Sequence, residues 1–379
     1  MAGIYRQLQE KLDTLGGGFP ASGVGDEGPD INFLKRFYSE EDAWYILRMV
    51  NEYQTAHQFA TANGIDPDVA AEKLYDISKR GLIYRQTIDG VVNYRLIPMV
   101  HGTYEFLWPY YEKGWLDDYY KMMDTGRFNT DKTTPMFRQI PVCKEVLSPG
   151  TKLLPFDDLE AILDKHTSFS VAACACRLNR KARELPVCDH EIETCINLGG
   201  FADYSVENGF ARRISREEVM ELLQRGVEEG RVISAMDSQE VEVICSCCKC
   251  CCGPVMGKTF IPNLTKWNNY VAVIEDPHAA MEYANASTAA CPIKACRIED
   301  GALKIDVTHC MGCGLCALAC KNGAIKLHAR ENPFTPEDNV FDTYDIIAQA
   351  NARKRAEMDE KGGATFNLNA VISQGAATD

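Results

Sequence analysis

Cys310, Cys313, Cys316 and Cys320 follow one another as C-x2-C-x2-C-x3-C without a gap, the spacing with which thiolates hold a [4Fe-4S] cubane. Gly312 and Gly314 relieve the loop between them, so three sulfurs can occupy three corners while backbone amides approach the inorganic sulfides. The fourth corner must come from elsewhere in the chain. Cys291-Pro292 upstream fits that part, and the expected ligand set is Cys291, Cys310, Cys313 and Cys316. Zinc is the competing reading. It is disfavoured because zinc sites prefer paired C-x2-C hooks to an unbroken run.

Two further thiol groups precede this one. Cys174-Ala175-Cys176-Arg177 is a C-x-C-R hook, with Cys188 and Cys195 following at gaps of eleven and six residues. Arg177, Arg180, Lys181 and Arg183 crowd the run, and cations beside thiolates lower their pKa and offset cluster charge. The plainer alternative is a solvated basic loop beside two structural cysteines. His190 offers an imidazole, but a Rieske centre needs two histidines at C-x-H and C-x2-H spacings, and the second is absent. Then Cys245-Ser246-Cys247-Cys248-Lys249-Cys250-Cys251-Cys252 places six thiols in eight residues. Within it Cys245, Cys248 and Cys251 repeat C-x2-C-x2-C, leaving Cys247, Cys250 and Cys252 pointing elsewhere. One site would combine the first three with a distant thiol, and another the remainder with Cys174, Cys176, Cys188 or Cys195. A copper or zinc knot is the alternative, since soft thiolates select both metals. Two or three [4Fe-4S] clusters in total are expected. Cys143 stands alone and is expected to be buried and inert.

Composition narrows the class. Seventeen clustered cysteines in 379 residues argue for metal rather than for a disulfide framework. A net charge of -14 disfavours nucleic acid as a partner and makes an anionic membrane surface a poor one. The first residues lack a basic segment followed by an apolar one, and no stretch approaches the uninterrupted apolar length of a membrane span, which points to the cytoplasm. No Walker loop is present, and no G-x-G-x-x-G follows a strand, so nucleotide or flavin sites of those kinds are not expected.

The elements that must position the thiols read as α+β. Residues 1–36 hold a helix and a Gly/Pro-rich linker. Residues 37–135 carry three helices, one starting at Ser39 with Asp42, a short one around 55–62 that ends at Asn63-Gly64, and one opened by Asp66-Pro67, then strands 82–87 and 91–97 around the hairpin signal Asp89-Gly90. Three helices and a hairpin define a winged helix. Asp66, Asp68, Glu72 and Asp76 on or beside its third helix, against Lys73, Lys79 and Arg80, favour protein docking over DNA. The aromatics between Tyr104 and Tyr120 are expected to pack a domain seam. A cysteine-rich middle domain, expected to be mainly helical, covers 136–262, with 135–155 as an extended connector. A bacterial ferredoxin-like domain covers 263–330, and a tail 331–379 wraps a partner or stays mobile. If Cys291 closes a degenerate first ferredoxin half, its predecessors would stand at Met281, Ala284 and Ser287, so one cubane of a two-cluster ferredoxin is missing. Cys320 is then either a relict or a ligand to a cluster built from the 245–252 run.

From about Phe33 to Leu327 the chain resembles a family of iron-sulfur proteins common in anaerobes. The likeness is carried by Gly81-Leu82-Ile83, Tyr94 to Gly102 with Glu105-Phe106, the Cys174 hook, Ala211 to Ser215, Ile244 to Cys252, and Cys310 to Cys320. Lys321 departs from the usual proline. The resemblance implies electron transfer beside a larger oxidoreductase. An accessory subunit relaying single electrons from a ferredoxin-like donor to a catalytic partner is expected, rather than a stand-alone enzyme. Two other readings remain open: a redox-sensing winged-helix regulator, and a reductase with a substrate-binding cluster, to which Cys251-Cys252-Gly253 has a local likeness.

Overall fold

The computed structural model describes residues 2–125, 127–128, 134–258 and 264–360. The chain divides into two compact units, the first containing residues 2–125 with 203–212 and 344–360, the second 134–202 with 213–343. Of the tail 331–379, expected to wrap a partner or stay mobile, Val340–Glu360 is a helix and residues 361–379 lie outside the described residues. No helix among the described residues is long and apolar enough to cross a membrane.

In the first unit helices Glu40–Arg48, Ala56–Asn63 and Pro67–Lys79 precede strands Tyr84–Ile88 and Val91–Arg95. With the short strand Gln54–Thr55 these form a three-stranded sheet in which 91–95 is central. The helix starts follow from their caps. Ser39 and Asp42 complete a capping box, Thr55 and Gln58 complete another, and the Asp66 carboxylate accepts from the Asp68 and Val69 amides ahead of Pro67. The hairpin turns at Asp89 and Gly90, both with positive φ, which the first tolerates and the second favours. Asp42 then locks helix to helix, since it pairs with Arg80 at 2.9 Å and Lys73 at 3.1 Å. Burial alone would push its carboxyl up, but the Arg80 and Lys73 partners and the Ser39 amide hold it at about 2.

The aromatic-rich stretch packs inside this unit. Trp115 and Tyr119 of helix Lys113–Met123 meet Phe33 of helix Pro29–Phe37, and Trp115 also meets Tyr104 and Trp108, with ring centroids 5.3–6.4 Å apart. These edge contacts cement the helices preceding and following the small sheet.

The second unit is built on a six-stranded sheet in the order Phe137–Ile140, Val232–Met236, Val243–Cys247, Glu193–Leu198, Phe169–Ala173, Arg212–Ile214. The first five pair antiparallel. The middle region is therefore organised by strands and not, as expected, mainly by helices, and part of the supposed connector 135–155 is an edge strand. Strands 137–140 and 232–236 are buried at every position. A strand covered on both faces loses the alternation that would have announced it. Helix Arg216–Glu228, capped by Ser215, lays Val219, Leu222, Leu223 and Val227 against this sheet. Strand Tyr270–Ile274 pairs with Ile325–Ala329, and a small hairpin Cys296–Glu299 and Ala302–Ile305 lies between them in sequence. One hydrophobic core runs from Ile140 on the sheet to Leu327 in this last segment.

Glu242, just before strand 243–247, is buried, and burial with the Glu240 charge raises its carboxyl to about 8. The folded state therefore holds a proton that the unfolded chain releases near 4.5, so its contribution to stability falls as pH rises from about 4.5 to about 8. Glu242→Gln removes that dependence. Thermal unfolding should show the variant gaining on the natural chain steadily across this window, and parallel melting temperatures at every pH would refute it.

Candidate metal centres

The ferredoxin-type segment forms a pocket lined by Cys291, Cys310, Cys313 and Cys316, with Ala272, Ile293 and Met311 supplying an apolar wall. Cys310 Sγ accepts from the amides of Ala272 at 3.5 Å and Gly312 at 3.4 Å, and Cys291 Sγ accepts from the Cys296 amide at 3.4 Å. Such amide–sulfur bonds fix the sulfurs and tune the metal they hold. Gly312 is required where it stands: φ is +67°, and a Cβ would lie 2.4 Å from the Tyr270 carbonyl oxygen. Burial raises the thiol pKa values of Cys291, Cys310 and Cys313. A bound metal that replaces those protons would therefore couple binding to proton release. The buried sulfurs, the donor amides and the apolar wall fit a [4Fe-4S] cubane, which Cys291, Cys310, Cys313 and Cys316 would hold.

Sequence reasoning left Cys296 aside, yet it lines the same pocket and its thiol contacts Cys316. It opens strand 296–299, and no motif spacing marks it. Cys320 is not part of the pocket lining. It follows helix Leu315–Ala319, its carbonyl accepts from the Gly323 amide, and its thiol donates to Asn322 Oδ1 at 3.2 Å.

The ten middle cysteines separate into two sets. Cys188, Cys248, Cys250 and Cys251 bring their sulfurs together within 4.8 Å of one another. Cys174, Cys176, Cys252, Cys247, Cys245 and Cys195 form a chain of neighbouring thiols, each touching the next. This is not the division that C-x2-C-x2-C suggests, which would have grouped Cys245 with Cys248 and Cys251. Cys245 and Cys247 belong to a strand, whose period of two puts them on one face, and Cys195 lies directly across from Cys245 in the register. The loop spacing begins to apply only after Cys247. Adjacent Cys251 and Cys252 consequently serve different sets.

Within each set some thiols are shifted down and their donating neighbours up. Hydrogen bonds from Cys250 and Cys251, with the Arg177 guanidinium, hold Cys248 far below the usual thiol range. Cys176 is lowered by Cys174 and Cys252, and Cys247 by Cys245 and Cys252. The donating partners Cys174, Cys245, Cys250 and Cys251 are raised in consequence. Thiolates of this kind are the metal-binding form.

Two buried cations serve these sets. Arg177, 2 % exposed, donates to the Glu191 carbonyl at 2.8 Å and Thr194 Oγ1 at 2.6 Å, and its guanidinium also meets Cys188 and Cys248. Its Nε is buried without an acceptor. Lys258 donates to the Phe137 carbonyl at 2.8 Å beside Cys247 and Cys252, and burial lowers its pKa to about 8. Arg177→Gln keeps the polarity but removes the charge. It is expected to cost about 10–100-fold in metal affinity at the neighbouring thiols, read by chelator competition, and an unchanged affinity would remove Arg177 from this role.

His190 is paired with Glu229 at 2.8 Å and is absent from both thiol sets. Cys143, expected to be buried, is only half-buried, and desolvation with the nearby Glu145 raises its thiol pKa.

Residues 303–326 match the 4Fe-4S binding domain family. A protein of Rhodospirillum rubrum described as an iron-sulfur protein is 48% identical over 42 residues, which cover 11% of this chain and 22% of that protein. The chain thus spans about a fifth of the relative's length. No solved structure matches the chain. The matched family and the thiol pocket together make this an iron-sulfur protein that holds at least one [4Fe-4S] cluster.

Proposed function

We propose that the protein is a multi-cluster electron carrier, an accessory subunit that relays single electrons between a ferredoxin-like donor and a catalytic oxidoreductase in the cytoplasm. The observation that carries this reading is the placement of ferredoxin-type cysteines and middle cysteines in one continuous core, which contains Cys247, Cys252, Cys310, Cys313 and Cys316 together. Bound iron-sulfur clusters supply one-electron chemistry. The chain's own residues do the remaining work: amides fix Cys310 and Cys291, Arg177 and Lys258 offset negative charge, and the apolar wall excludes water.

The first unit's helices and three-stranded sheet support a winged helix used for docking. Asp66, Asp68, Glu72 and Asp76 are exposed on or beside helix 67–79, whereas Lys73 is paired with Glu41 and Asp42, and Arg80 with Asp42 and Asp76. Phosphates would meet a net acidic face, so a protein partner is the better fit. Anaerobic mixing with a reduced ferredoxin-like carrier tests the relay. Rapid bleaching of the cluster absorbance is the expected result. A chain that keeps its oxidised spectrum with every such carrier, yet binds duplex DNA at low salt, would reverse the reading in favour of a regulator.

A further inference from the structure

We propose that Cys188, Cys248, Cys250 and Cys251 hold a single metal ion as a tetrathiolate site, separate from any iron-sulfur cubane. Cys188 Sγ lies 3.7 Å from Cys248 Sγ and 3.6 Å from Cys251 Sγ, and Cys250 and Cys251 are 3.7 Å apart. A tetrahedral ion with metal–sulfur bonds of about 2.3 Å places its sulfurs about 3.8 Å from one another. Three of the six edges match, and all six are within 4.8 Å. A disulfide would need a separation of about 2.05 Å, and none of these pairs approaches it. In a cubane each thiolate binds a different iron, so the cluster itself holds the sulfurs further apart. Among the described residues no other group of three or more potential ligands contracts to this spacing, the ferredoxin-type cysteines included.

The donor set narrows the ion. Four sulfurs in a closed tetrahedron suit zinc or a single iron, and exclude the oxygen-seeking cations. Four thiolates around a divalent ion leave two negative charges, and the Arg177 guanidinium lies against Cys188 and Cys248 to offset part of this. The ligands come from two separate segments. Cys188 follows helix Ala175–Ala182, and the other three follow strand Val243–Cys247, sixty residues on in the case of Cys248. An ion here joins those segments, and the inference stands whether or not the relay reading is correct.

The test is the count of zinc, iron and acid-labile sulfide in the anaerobically purified full chain and in Cys250→Ser. Cubanes carry iron and sulfide in equal number. The natural chain should therefore contain about one metal ion per chain in excess of its sulfide, and the excess element says whether zinc or iron occupies the site. In Cys250→Ser that excess should disappear while sulfide and the reduced cluster signal persist. Equal metal and sulfide in the natural chain would overturn the proposal without reference to any variant. Loss of iron and sulfide together from a variant that retains its circular dichroism would overturn it too, as would an excess untouched by the substitution.

Discussion

Cys313→Ser is expected to abolish the ferredoxin-type centre, removing about four irons and about four acid-labile sulfides per chain together with the paramagnetic signal of its reduced form. Cys313 is buried in the pocket wall, and its carbonyl accepts from the Val142 amide at 3.0 Å, which fixes its loop, while the further thiol in the lining, Cys296, contacts Cys316. Cys320→Ser should leave iron, sulfide and signal unchanged. Cys320 bonds Asn322 and is absent from the pocket, although it completes the C-x2-C-x2-C-x3-C run. Iron and sulfide analysis of the two variants side by side checks both statements, and loss of the signal in Cys320→Ser would show that Cys320 is a ligand.

Arg138→Met is expected to destabilise the second unit by about 3–5 kcal/mol, because it leaves buried carboxylate and carbonyl groups without their donor. The guanidinium is wholly buried and donates to Asp157 at 2.8 Å, Asp237 at 3.2 Å, the Met236 carbonyl at 2.7 Å, the Ser238 carbonyl at 3.2 Å and the Phe156 carbonyl at 2.5 Å. Burial already raises the Asp237 carboxyl to about 6 despite Arg138, and without the arginine it must rise further. A raised carboxyl stabilises the folded state only while it is protonated. The deficit of the variant should therefore deepen as pH rises above about 6, where Asp237 of the natural chain has already ionised and that of the variant has not. Denaturant unfolding at pH 5 and pH 8 measures this. A variant within about 1 kcal/mol of the natural chain at both would place Arg138 among the ion pairs that contribute little.

Local chemistry was legible where one residue decides the backbone. Ser39 and Asp66-Pro67 mark helix starts, and Asp89-Gly90 marks the hairpin, because caps and turns are settled within four residues. Strand 137–140 was not legible. Its sequence Phe-Arg-Gln-Ile reads as solvated, and only the carboxylates of Asp157 and Asp237, brought from distant positions, make Arg138 a core residue.

The candidate centres show the same division. Cys310, Cys313 and Cys316 were read together from their spacing and Cys291 from its Cys-Pro, and the four line one pocket because a loop gathers its thiols by spacing. The middle thiols resisted it because one continuous run of cysteines crosses from strand to turn at Cys247. On the strand side the period of two and the pairing with Cys195 govern, and on the turn side Cys248, Cys250 and Cys251 gather round Cys188. Register and loop closure are long-range properties, and neither leaves a local trace.

The most direct test of an electron relay is a potentiometric titration of the anaerobically isolated chain followed by electron paramagnetic resonance. A relay requires at least two iron-sulfur signals that appear at separate potentials, the first lost in Cys313→Ser and the second in Cys247→Ser. A single signal that accounts for all of the iron and vanishes in Cys313→Ser would contradict it, and would leave the middle cysteines as redox-silent thiolate sites.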